Sequence, residues 1–331
     1  MKVKIEELRK LVEKLISNGF YTAVEASRIA EVLLYAELSD KNTQGVLKLI
    51  GSAPLQDTKP QYAAKVIKET PLSAVVDAGG NIGILAAQLA TDKLIEIAAK
   101  NGFGIVSMRN YSSSTGAFGF FARKIARNDL IGIIATNSPR AVSHFPGIDA
   151  TYGTNPIAFG FPTEDHPIVF DMAASAITWF GLVQAKELKK PIPGDVAIDS
   201  NGQPTTDPEA AMKGAILPFD RSYKGSGMAM VVELLAGVMS GASYIFDEGD
   251  WGSTFMAVSP TLLLDLAEFK RRSSDLITKV KSGKALPGLA IRIPGYDMEL
   301  EIERRLQKGE VEIDEQILKQ LQAKDCSERV Q

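Results

Sequence analysis

From Leu72 to Thr136 the chain alternates between two hydrophobic periods, and this alternation limits its architecture more than any other feature. The run LSAVVD (72–77) is β-branched and strand-like, and GILAAQLATDKLIEIAAK (83–100) repeats at helical spacing until Asn101-Gly102 stops it. FGIVSM (103–108) is again strand-like, GAFGFFARKIAR (116–127) helical, and LIGIIAT (130–136) a third strand. The β-α-β-α-β order predicts an α/β lobe with parallel strands.

Around this lobe the texture differs. Ile5, Leu8, Val12, Leu15 and Ile16 mark a helix that ends at Gly19, and Thr22-Ala-Val-Glu25 reads as a capping box opening a second helix to about Leu38. Residues 137–223 are rich in Pro, Gly, Asn and Asp, predicting loops with short strands near 156–161 and 167–171. SGMAMVVELLAGVMSGA (226–242) is apolar nearly all round and predicts a buried helix. FMAVS (255–259) and LAIRI (289–293) read as strands, and the tail from Leu300 as two amphipathic helices. The basic cluster Lys270, Arg271, Arg272, Lys279, Lys281 and Lys284 is best read as a solvated helix face. With 331 residues, two lobes are expected, at about 150 residues per domain: 1–70 together with 285–331, and 71–284.

Several function classes drop out. A net charge of −3 argues against general nucleic-acid binding. No run approaches the ~18 apolar residues of a membrane span, and the charged start MKVKIEELRK is unlike a signal peptide, so a cytoplasmic protein is expected. One cysteine, Cys326, and two histidines, His144 and His166, exclude a disulfide framework and a histidine-rich metal site, so no metal is expected. Ala78-Gly-Gly80-Asn-Ile-Gly83 imitates a dinucleotide fingerprint, but its first glycine is Ala78 and Met108-Arg109 stand where the ribose-binding acid belongs. A tight strand-to-helix turn is the better reading.

Three segments carry chemistry. Gly153-Thr154-Asn155-Pro156 offers hydrogen-bonding side chains at a turn, and Asp171-Met-Ala-Ala-Ser175 closes a strand. Tyr223-Lys224-Gly225-Ser226-Gly227 places a lysine at a helix start, where free N–H groups and the helix dipole favour an anion. Together with PTTDP (204–208) and IRIPG (291–295), in this order, these segments resemble the malate/L-lactate dehydrogenase family, which is unrelated to the Rossmann-type enzymes of similar name. Its members include ureidoglycolate and sulfolactate dehydrogenases, 2,3-diketogulonate reductase and reductases of piperideine- and pyrroline-2-carboxylate. The resemblance spans essentially the whole chain. It implies a non-Rossmann α/β fold, a mixed sheet with helical N- and C-terminal segments. It also implies a homodimer, with NADH or NADPH in a cleft near the subunit interface and a small carboxylate as substrate. The cofactor positions it implies are Thr115, Gly116 and Ala117; Asp171, Met172 and Ala173; Lys224 and Gly225; and Gly295. Thr154 is a further substrate-side position.

The resemblance breaks at the catalytic element. Where the family reads Asp-Ser-His-Gly-Val-x-Arg, this chain has Asn42-Thr43-Gln44-Gly45-Val46-Leu47-Lys48. Gln44 stands for the proton-donating histidine, Thr43 for its serine partner and Lys48 for the arginine that holds the substrate carboxylate. A second family histidine falls on Ser114, or on Ser113 if the register slips by one. Hydride delivery to a ketone leaves an alkoxide that needs a proton, which imidazole gives and a glutamine amide cannot. An iminium already carries its proton. The expected activity is therefore NAD(P)H-dependent reduction of a small carboxylated imine or 2-oxo acid, in a specialised biosynthetic setting. The alternative is a redox-inactive member that binds a ligand or catalyses cyclisation, isomerisation or elimination. His144 is the candidate substitute acid, with Tyr111 and Tyr296 behind it, and His166 reads as a turn residue.

Overall fold

The computed structural model describes residues 1–51, 54–111, 113–245 and 250–327. The elements in chain order are β1 (Lys2–Lys4), α1 (Ile5–Ser17), α2 (Ala23–Leu38), β2 (Lys65–Glu69), β3 (Ser73–Asp77), α3 (Gly83–Asn101), β4 (Phe103–Tyr111), α4 (Phe118–Ala126) and β5 (Ile131–Thr136). The middle of the chain contributes β6 (Val142–Ser143), β7 (Ala150–Tyr152), β8 (Ile157–Phe161), β9 (Ile168–Met172), α5 (Trp179–Glu187), β10 (Ala197–Ile198), α6 (Pro208–Lys213) and β11 (Ala215–Ile216). The last part holds α7 (Tyr223–Glu233), β12 (Trp251–Val258), α8 (Leu266–Lys281), α9 (Tyr296–Lys308), β13 (Glu310–Glu312) and α10 (Glu315–Ser327).

Local signals act where they stand in the sequence. The Thr22 hydroxyl accepts the Glu25 N–H while the Glu25 carboxylate accepts the Thr22 N–H, completing the expected capping box. Gly102 adopts a left-handed conformation (φ 77°) and ends α3. The 78–83 segment is the tight turn expected of it: Gly79 and Gly80 both have positive φ, and the Asp77 carboxylate accepts the Gly79 N–H.

The strand order of the main sheet, β2-β3-β4-β12-β5-β8-β9, corrects the expectation of parallel strands. Only β3 and β4 run parallel within it. The late strand β12 inserts between β4 and β5 and runs antiparallel to both, and β5, β8 and β9 continue antiparallel. The fold is α/β with a mixed sheet. α3 packs on β3 and β4, and α4 on β5, β8 and β9. The chain ends meet: β1 pairs antiparallel with β13, α1 packs against α10, and the main core runs from α1 and α2 through the sheet to Ile317, Leu318 and Leu321.

Three further expectations need correction. Residues 289–293 form loop rather than a strand. The loop-heavy middle contains α5 and α6, and a small four-stranded sheet, β10-β11-β6-β7, with its own core around Val142, Leu182, Ala197 and Ile216. The apolar stretch from 226 is not fully buried. α7 continues into a π-helical turn, Leu234–Val238, and Met230, Val231, Leu234 and Val238 lie exposed along the outer side. The basic cluster on α8 is held partly by local ion pairs, with Arg271 and Arg272 on Glu268 and Lys270 on Asp129.

Candidate active site

Beyond the end of α2, the Asn42–Gln44 and Val46–Leu49 segments are two short 3-10 turns hinged at Gly45. Asp40, in left-handed conformation (φ 55°), breaks α2, and Arg305 of α9 grips its carboxylate with two N–H groups at 2.7 and 3.0 Å. Gly45 is required by packing: a Cβ there would lie 2.0 Å from Glu37 Oε1. Glu37, 2% exposed, accepts the Val46 N–H at 2.7 Å, and burial pushes its carboxyl up to about 7.

Lys48 is 3% exposed, which removes the reading of an ordinary surface lysine. Its ammonium lies 3.3 Å from the centroid of the Phe180 ring, and no carboxylate among the described residues pairs with it. Burial alone holds its amine well below the usual lysine range. Phe180 belongs to α5, which packs against Asn42–Gln44. Thr43 and Gln44 are half-buried on that turn, and among the described residues their side chains form no hydrogen bond. The segment thus offers an amide, a hydroxyl and a cation whose polar needs the protein leaves open.

Asp171, near the end of edge strand β9, is the junction of the site. Its Oδ2 accepts the Gly119 N–H in the first turn of α4 at 2.8 Å and lies 2.5 Å from Lys41 Nζ. Lys41, next to Asn42, escaped the sequence reading; only its position at the edge of the 42–48 element could have drawn attention to it. The Thr115-Gly116-Ala117 turn leads directly into α4, so the structure brings this turn, Asp171 and the 42–48 segment together. At that turn the Ser114 hydroxyl accepts the Gly116 N–H, and Ser113 Oγ is buried without a hydrogen-bond partner among the described residues. Gly295 (φ 74°) packs directly against β9, where a Cβ would sit 2.4 Å from the Val169 nitrogen.

Thr154 joins this region through the backbone, its carbonyl accepting the Ala174 N–H at 2.8 Å. Beside it the buried Asn155 side chain and Asn137 both donate to Glu233 of α7, at 2.7 and 3.1 Å. Asn137 and Glu233 border a cavity of about 530 Å³ whose walls also include Ser138, Arg140, Gly153 and Trp251.

The start of α7 is organised differently from the anion cradle expected there. The Asp220 carboxylate accepts the N–H groups of Ser222 and Gly225 and the Ser222 hydroxyl, and the Ser222 hydroxyl oxygen accepts the Lys224 N–H. These donors are satisfied within the chain, and Lys224 itself is exposed. His144 lies in this second region: its Nδ1 is 3.0 Å from the Tyr152 hydroxyl, and the next residue, Phe145, donates its N–H to Ser226 Oγ. Neither contact reaches Gln44. Tyr111 is excluded as an acid, because its hydroxyl is buried against Thr136, Gly252 and Ser253 and burial raises its pKa further. His166 is the turn residue expected, its carbonyl accepting the Thr163 hydroxyl, and its ring packs edge-on against Tyr296.

Residues 3–322 match the family described as malate/L-lactate dehydrogenase. L-sulfolactate dehydrogenase of Methanocaldococcus jannaschii is 30% identical over 335 residues, covering 97% of this chain and 95% of that protein. Ureidoglycolate dehydrogenase (NAD(+)) of Escherichia coli is 30% identical over 318 residues, covering 91% and 89%. The solved structure of delta1-piperideine-2-carboxylate reductase from Pseudomonas syringae superposes with a TM-score of 0.84 at 26% identity, covering 98% of this chain and 99% of that one.

Proposed function

The chain belongs to the malate/L-lactate dehydrogenase family, a family of oxidoreductases, and from that premise we propose that it is an NAD(P)H-dependent reductase of a small carboxylated imine or 2-oxo acid. The observation that carries this reading is Lys48, a buried amine four residues after Gln44 with no counter-charge among the described residues. Leaving a cation unpaired out of water costs several kcal/mol unless an anion arrives, and a substrate carboxylate is the anion that fits. Because Lys41 is already neutralised by Asp171, a single carboxylate suits the site better than two.

The donor set partly fits a dinucleotide. Ser113 Oγ supplies an unpartnered buried hydroxyl at the 115–117 turn, and Lys224 an exposed cation at the α7 start. The N–H groups taken by Asp220 do not fit a phosphate, so Lys224 carries that role through its side chain. Thr115, Gly116, Ala117, Asp171, Met172, Ala173, Lys224, Gly225 and Gly295 are the proposed cofactor-side positions, with 71–284 as the cofactor lobe and the two terminal segments as the substrate lobe. When bound, the reduced nicotinamide supplies hydride. The protein's part is to hold the carboxylate on Lys48, aim the acceptor carbon and polarise its oxygen or nitrogen with the Gln44 amide. The exposed apolar stripe of Met230, Leu234 and Val238 supports a homodimer joined through α7. A cytoplasmic, biosynthetic role accompanies this reading.

The test is a titration of tryptophan fluorescence with NADH and NADPH, followed by absorbance assays over 2-oxo acids with and without an amine. Binding of one dinucleotide below millimolar concentration, with turnover of a monocarboxylate, is the expected result. Failure of both dinucleotides to bind overturns the proposal.

A further inference from the structure

We propose that Lys41 is the proton donor for carbonyl reduction in this protein, with Asp171 as its positioning residue; the inference rests on the reductase reading above. Four observations meet at this side chain. Lys41 leaves α2 one residue after the left-handed turn at Asp40, which Arg305 anchors, so its stem has a fixed origin. Its Nζ lies 2.5 Å from Asp171 Oδ2, and that oxygen is itself held by the Gly119 N–H at the start of α4. It stands three residues from Gln44, on the side of the 3-10 turn opposite Lys48 in sequence. The Lys41 side chain is 33% exposed while that of Asp171 is 10% exposed, so the ammonium reaches solvent from a fixed carboxylate.

The chemistry balances with groups already named. As hydride from the reduced dinucleotide forms the new C–H bond, the carbonyl π pair passes to oxygen, and a proton from Lys41 Nζ turns that oxygen into a hydroxyl. The substrate is reduced, the dinucleotide oxidised, and Lys41 is left as a neutral amine. An alkylammonium, at ~10.4, is a much stronger acid than a secondary alcohol, so the transfer runs downhill. Solvent, which the partly exposed ammonium reaches, then returns the proton. The two lysines divide the work: the buried, unpaired Lys48 waits for an anion, and the paired, solvent-linked Lys41 cycles a proton.

The test compares wild type with Lys41→Met and Lys41→Arg on a 2-oxo monocarboxylate and on a cyclic imine carboxylate, with dinucleotide affinity measured by fluorescence in each. Lys41→Met should lower kcat for the ketone by about 10²–10⁴-fold. Imine reduction should fall far less than ketone reduction once any change in dinucleotide affinity is factored out, and Lys41→Arg should not rescue the ketone reaction. A second readout needs no dinucleotide: after ¹³C-methylation of lysines, the resonance missing from Lys41→Arg should shift in Asp171→Asn. Equal losses on ketone and imine, or a Lys41 resonance indifferent to Asp171, overturn the proposal. A wild type that reduces imines alone overturns it while leaving the reductase reading intact; a wild type that reduces neither overturns that reading as well.

Discussion

The first turn of α7 and the Asn42–Leu49 segment are both short, polar and built around a glycine, yet they settle their charges in opposite ways. At α7 the Asp220 carboxylate and the Ser222 hydroxyl take up the backbone donors around them, and the local accounts close within seven residues. At the 42–49 segment two ionisable groups, Lys48 within it and Glu37 of α2, which accepts the Val46 N–H, are buried without an opposite charge among the described residues. A region that satisfies itself is a structural joint. One that leaves buried charge open stays costly until a ligand completes it, and such places are where binding is expected.

Lys48→Met puts the greatest strain on this contrast. It should weaken carboxylate binding by about 2–5 kcal/mol, read as KM or as a dissociation constant. It should also raise Tm, because an uncompensated buried cation is replaced by an apolar chain of similar length. The sign follows from linkage. A lysine whose folded pKa is lowered binds fewer protons in the folded state, so it destabilises increasingly as pH falls below 10.5 toward that lowered value. The Tm gain should therefore grow toward lower pH.

Glu37→Gln is the complementary case. Its carboxyl is raised from 4.5 to about 7, so the folded state holds a proton that the unfolded state has lost, and stability declines as pH rises through that window. The substitution should preserve the acceptor for Val46 and stabilise by up to about 3 kcal/mol above pH 7, with no gain below pH 4.5. Thermal melts at pH 4.5 and 8 distinguish the two cases, and equal shifts at both would contradict the account. Asp220→Ala sits on the closed side of the comparison. It should destabilise by about 1 kcal/mol through loss of capping, with the shape of the pH–stability curve near neutrality unchanged.

How much was legible can be argued from particular residues. The start of α2 and the end of α3 were readable because a capping box and a left-handed glycine act within four residues. Parallel strands were a fair expectation from β-α-β order and hold for β3 with β4. They fail beyond it because β12 arrives from more than a hundred residues downstream, and no local pattern names its neighbours. The exposed stripe on α7 was hidden for a related reason: apolar periodicity gives a preference for burial without saying what does the burying. In the candidate site, Gln44 and Lys48 were singled out by sequence through the 42–48 element they occupy. Lys41 was missed, since it matters only through a partner distant in sequence, Asp171.

Sequence alone determined the helix and strand order of residues 72–136 and the family's scaffold, because these are properties of residue type and short-range spacing. Tertiary structure decided which charges are answered. Lys41 meets Asp171 across 130 residues and Lys48 lies buried over the face of Phe180, so two lysines seven positions apart acquire different surroundings. The reason is physical: the free energy of a charge depends on its solvent and its neighbours, and both are assigned by folding.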